Sequence, residues 1–151
     1  MKVEYRHLDR TCLDEIALSK LLKRYTKNFK YDILFVFDLR IKDYGNYIFD
    51  ISNNRHWIKI SPNQCGFTDA GIKLEPEAEK YNLLATILHE VRHAQQYEKM
   101  GYKFWNSKFS CTAEIKNPDS SEYFSEIEVA AREFENKHIL NSVEYYNRCM
   151  P

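Results

Sequence analysis

The hydrophobic pattern of this chain changes period near Pro76, and that single change limits its fold more than any other feature. Before it, the apolar residues come in short runs. Leu13, Ile16, Ala17 and Leu21, with Leu18, Leu22 and Tyr25, recur at helical spacing and predict a helix over about residues 12–27. Thr11, with Asp14 three residues on, resembles its N-cap. Residues 31–37 (YDILFVF) are short, β-branched and aromatic, and read as an internal strand. Residues 46–51 and 55–60 flank Ser52-Asn53-Asn54 and read as an antiparallel hairpin. Residues 62–71 read as loop.

After Pro76 the pattern is helical. Proline suits a first helical turn, and Glu75, Glu77 and Glu79 suit the positive end of the helix dipole. That helix runs to Lys99-Met100, where Gly101 offers a left-handed stop. Residues 102–118 read as irregular, and Asp119 with Glu122 opens a last helix running past His138. The order predicts an α+β domain over residues 1–151. Its small, mostly antiparallel sheet would pack on the N-terminal helix and on the helix after Pro76, with the C-terminal helix beside them.

Composition excludes several classes. Hydrophobic residues make up 44% and aromatics 15% of 151 residues, too many for a disordered chain. The 22 basic and 22 acidic residues cancel, so neither a nucleic acid nor an anionic membrane is an expected partner. Apolar runs fall far below the roughly 20 residues that span a bilayer, and residues 1–12 alternate charge and apolarity instead of forming a leader. Cys12, Cys65, Cys111 and Cys149 form no CxxC pair, which argues against a cysteine-built zinc site. The expectation is a cytoplasmic protein with reduced thiols.

Within the helix after Pro76 stands His89-Glu90-Val91-Arg92-His93, an HExxH pattern. At about 100° per residue, positions four apart share a helix face, so both imidazoles can reach one tetrahedral ion. Glu90, one step round, is placed to hydrogen-bond a water rather than to bind the same metal. Leu84, Ile87, Leu88, Val91 and Ala94 form a stripe for the core, with the two histidines nearly opposite, beside Thr86 and Gln96.

A catalytic zinc site needs a third protein ligand. His7, His56 and His138 all lie outside the ten residues downstream of the motif, so the ligand is sought on the last helix, which offers Glu122, Glu126, Glu128, Glu133 and Glu135. Phe124, Ile127, Ala131, Phe134 and His138 should form its buried face. Glu122, Glu126 and Glu133 fall within about 40° of one another on another face and read as a solvated stripe. Glu128 lies at the border of the apolar face, where a carboxylate can be held half-buried, and is the ligand expected, with Glu126 in reserve.

Residues 88–96 (LHEVRHAQQ) followed by 128–134 (EVAAREF) resemble the gluzincin metallopeptidases, closest to small bacterial and phage-type ones, over roughly residues 75–140. The resemblance implies a zincin-like fold with a sheet edge above the cleft that can pair with an extended peptide. It implies zinc held by His89, His93 and Glu128, and Glu90 as general base toward a metal-activated water. The function expected is therefore a zinc-dependent peptidase acting on a peptide or protein substrate. The alternative is a catalytically silent zinc-binding regulatory or protein-interaction domain of the same fold. One departure stands out. Thermolysin-like members carry an Asp four residues after the glutamate ligand to orient the first histidine, and this chain has Arg132 there.

Other candidates read more simply as structure. Arg55 and His56 are strand residues. Tyr97, Tyr123 and His138 are weighed as oxyanion donors, but packing is favoured for each. The cysteines read as small core residues, and Lys20, Lys23, Arg24, Lys27 and Lys30 as a solvated basic face.

Overall fold

The computed structural model describes the backbone of residues 1–113 and 126–151 and the side chains of residues 1–101 and 126–151. Four strands form one sheet: β1 (Val3–Arg6), β2 (Asp32–Phe37), β3 (Gly45–Asp50) and β4 (Arg55–Ile60), in the order β1-β2-β4-β3. The helices described are α1 (Glu15–Lys23), α2 (Pro62–Gly66), α3 (Pro76–Ala113) and α4 (Glu126–Cys149). The domain is α+β, and no described helix is long and apolar enough to cross a membrane.

The helix near the N-terminus is shorter than its periodicity suggests. Asp14, not Thr11, caps α1, its carboxylate accepting from the Ala17 amide at 2.9 Å. Thr11 instead closes the preceding turn, donating to the Leu8 carbonyl. Ala17, Leu18, Leu21 and Leu22 are the buried face of α1. The far end of the chain is tied to this cap, because the Asp14 amide donates to the Tyr146 hydroxyl at 2.6 Å.

The sheet is mixed rather than mostly antiparallel. β1 pairs parallel with β2, and β2 parallel with β4; only the β3–β4 hairpin is antiparallel, present around Ser52–Asn54 as the sequence predicts, with Asp50 opposite Arg55. The physical reason lies in β1, which alternates exposure along Val3–Arg6. The chain leaves it through α1 and returns to the same end, and such a crossover makes the next strand parallel. β2 is internal, as its apolar run predicts. Ile33, Phe35 and Phe37 join the main core, while Leu34 is buried outside it, as the alternation of a strand requires.

Two other expectations are corrected. Residues 62–66 form α2 rather than loop: Ser61 caps it, accepting from the Gln64 amide, and Pro62 fills the first turn. Five residues are too few to show a helical period. Residues 102–113 are helical, not irregular. The first helical stretch of α3 does stop where the sequence places its end, at Gly101. The φ of 78° and ψ of 167° at Gly101 fall where essentially only glycine is stable. The expectations for 114–118, and for a helix opening at Asp119 and Glu122, lie outside the described residues.

α3 lies at the centre. Leu83, Leu84, Ile87, Leu88, Val91 and Ala94 are fully buried, β3, β4 and α2 pack against one side of it, and α4 covers another. The apolar stripe therefore does face the core, but the opposite side meets α4 before it meets solvent. Cys12, Cys65 and Cys149 are free thiols, and Cys111 lies outside the described side chains.

Candidate metal centre

α3 and α4 bring His89, His93 and Glu128 together, with one ligand atom from each lying within 4.8 Å of the others. The Nε2 of His89 lies 3.2 Å from Glu128 Oε2, and the Nε2 of His93 lies 2.8 Å from Oε1. The one-turn spacing of the histidines sets their rings 5.0 Å apart at 79° to each other. Glu126 is exposed, as is Glu133, and neither joins the group; the glutamate beside the two histidines is the half-buried Glu128. Glu122 lies outside the described residues.

The outward nitrogens are occupied. His93 Nδ1 donates to the Gln96 side-chain oxygen at 2.9 Å, and the same amide donates to the Ile127 carbonyl at 3.1 Å. Gln96 thereby joins the second histidine to the turn of α4 that carries Glu128. His89 Nδ1 lies 3.2 Å from Glu135 Oε1. In the sequence, Glu135 is one of several carboxylates on the last helix, with nothing local to mark it. The signal available was its spacing: seven residues after Glu128, two turns on along the same face.

The charged groups of the site are tightly coupled to one another. Burial would lower the His89 imidazole, but its hydrogen bonds with Glu128 and Glu135 outweigh this and push it up to about 10. Burial would raise Glu128, yet His89 and His93 hold it well below the usual carboxylate range. Glu90, 6% exposed, is pushed up to about 7 by burial, against the pull of His93 and His89. Two imidazole nitrogens and one carboxylate oxygen, with both histidines braced from behind, are a donor set suited to Zn²⁺ and to other borderline divalent ions.

A cleft of about 660 Å³ opens over the group, lined by His89, Glu90 and Glu128 below and by residues 42–45 on the strand side. His93, 2% exposed, lies behind this surface. Gly45 opens β3, an edge strand, and its lack of a side chain allows the close approach. A Cβ there would fall 2.8 Å from Thr86 Cγ2, 3.1 Å from the Lys59 carbonyl and 3.3 Å from Glu90 Cγ. Arg132, one turn after Glu128, also lines the cleft.

The remaining candidates are structural where they are described. Tyr97 is buried and stacks on Phe49 at 4.0 Å. His138 packs on Phe134 and Tyr25, and burial lowers its basicity. Arg55 pairs with Asp50 on the neighbouring strand, and His56 is buried on β4. Tyr123 lies outside the described residues. Compared with family models, with curated proteins and with solved structures, the chain finds no match.

Proposed function

We propose that this chain is a zinc-dependent peptidase in which His89, His93 and Glu128 hold the metal and Glu90 is the general base. The observation that carries the reading is the convergence of these three side chains, with His89 and Glu128 lining a cleft, His93 just behind them and Glu90 in the same wall. When bound there, zinc supplies Lewis acidity toward a peptide carbonyl and a water.

The rest of the chemistry belongs to the chain. A general base must lie within reach of the water it deprotonates, and Glu90, buried beside the ligands in the cleft wall, is placed for that. Its carboxylate accepts the proton of the attacking water and returns it to the departing amine nitrogen. The carbon–nitrogen bond breaks as the new carbon–oxygen bond is completed. The edge of β3, brought close to α3 by Gly45, offers strand hydrogen-bonding groups to an extended substrate. The zincin-like fold and the gluzincin likeness belong to this proposal and rest on the same ligand set.

Metal analysis of protein purified without chelators, followed by peptide-library cleavage with and without a chelator, tests the reading. About one zinc per chain and chelator-sensitive cleavage are expected. Stoichiometric zinc with no cleavage of any peptide would overturn the enzyme and leave a zinc-binding regulatory or interaction domain. The absence of zinc binding would overturn both.

A further inference from the structure

We infer that Glu135 is the positioning residue for His89: it accepts the Nδ1 proton and so turns Nε2 toward the metal. The inference rests on the zinc reading of the site and adds a role that reading does not need. The geometry is axial. Glu128 and Glu135 are seven residues apart on α4, which places them on one face and about 10.5 Å apart along the helix. The His89 ring lies between them, with Glu128 3.2 Å from one nitrogen and Glu135 3.2 Å from the other. An imidazole with a carboxylate at each end spans about that rise.

Arg132 occupies the turn between. A guanidinium has only donors, so it cannot accept the Nδ1 proton. The accepting carboxylate therefore comes from the next turn, at position 135. Nor does Glu135 compete as a ligand to the same ion, because the two ring nitrogens diverge and it lies on the side away from Glu128. The two histidines are thus braced differently, His89 by a carboxylate and His93 by the neutral Gln96 amide. A carboxylate partner raises the basicity of the imidazole it holds.

Zinc affinity by chelator competition, in wild type, Glu135→Ala and Glu135→Gln, tests this together with long-range ¹H–¹⁵N spectra of the zinc-loaded histidines. The wild-type spectrum should show His89 bound through Nε2 with a proton on Nδ1. Glu135→Ala should weaken zinc about 10- to 100-fold, and Glu135→Gln less, since an amide oxygen still accepts. Unchanged affinity in Glu135→Ala, or His89 bound through Nδ1, would overturn the inference and leave the zinc site standing. A wild type that binds no zinc would remove the site itself, a distinct result. Should the alanine variant fail to fold, the glutamine variant and the wild-type spectrum still decide.

Discussion

His56 and His93 are both almost fully buried, at 0% and 2% exposed, and each has a carboxylate oxygen 2.8 Å from its Nε2. Their surroundings differ. His56 is closed on every side: Tyr47 meets its Nδ1 at 2.8 Å, and the rings of Phe29, Tyr31, Phe49 and Tyr97 surround it. Its partner Glu98 also accepts from the amides of Lys30 and Tyr31, so that carboxylate is committed to the backbone. His93 shares its carboxylate with a second imidazole, and that carboxylate lines an open cleft. A buried histidine–glutamate pair is therefore not a metal site in itself. What sets the candidate centre apart is a second nitrogen converging on the same carboxylate and a side open to solvent.

The sharpest way to break this contrast is at Glu90. Glu90→Gln keeps the shape of the cleft and removes the base, so turnover should fall about 10³-fold, roughly 4 kcal/mol on the barrier, while zinc stays bound. Peptide cleavage and metal analysis on the same sample check it. Undiminished turnover would remove Glu90 from the mechanism.

Next comes the closed cluster. His56→Ala removes the imidazole that hydrogen-bonds both Glu98 and Tyr47 and opens a cavity among the surrounding rings, and should cost about 3 kcal/mol in denaturant unfolding of the metal-free protein. The folded variant should still bind one zinc. If zinc binding vanished while the fold held, the two clusters would not be separate.

A smaller effect compares two glutamates of one helix turn. Zinc at a hundredfold excess over its dissociation constant should stabilise the wild type by about 2.7 kcal/mol. Glu128→Ala should remove most of that zinc-dependent gain. Glu126→Ala, at an exposed position, should change stability by no more than about 0.5 kcal/mol. Paired thermal melts with and without zinc would reveal a reversal.

The smallest effect is on pH. Burial holds the His56 imidazole below its ordinary value of 6.5, although Glu98 favours its charged form. The unfolded chain then binds the proton more readily than the folded one. This contribution is present above pH 6.5 and is lost as pH falls below it. In metal-free protein, the stability advantage of wild type over His56→Gln should shrink between pH 7.5 and 5.5. An advantage that grew instead would mean that Glu98 outweighs burial.

Much of this molecule follows from local pattern. A four-residue spacing on a helix fixes His89 and His93 as neighbours whatever surrounds them, and the apolar face of α4 set Glu128 apart from Glu126 because burial follows the helical period. The hairpin and the internal strand were legible for the same reason, in a period of two. Tertiary structure decided what no period records. β1 shows only two alternations, and its pairing with β2 depends on where α1 returns the chain. That His89 meets Glu135, and that His56 is sealed by Glu98 and by rings from the loop before β2, from β3 and from α3, depends on contacts between residues as far as some 40 positions apart. A periodic pattern states which side of an element is apolar. Which atom of another element arrives there is set by the packing of the whole core, since each helix and strand can bury its apolar face in more than one way until its neighbours are in place.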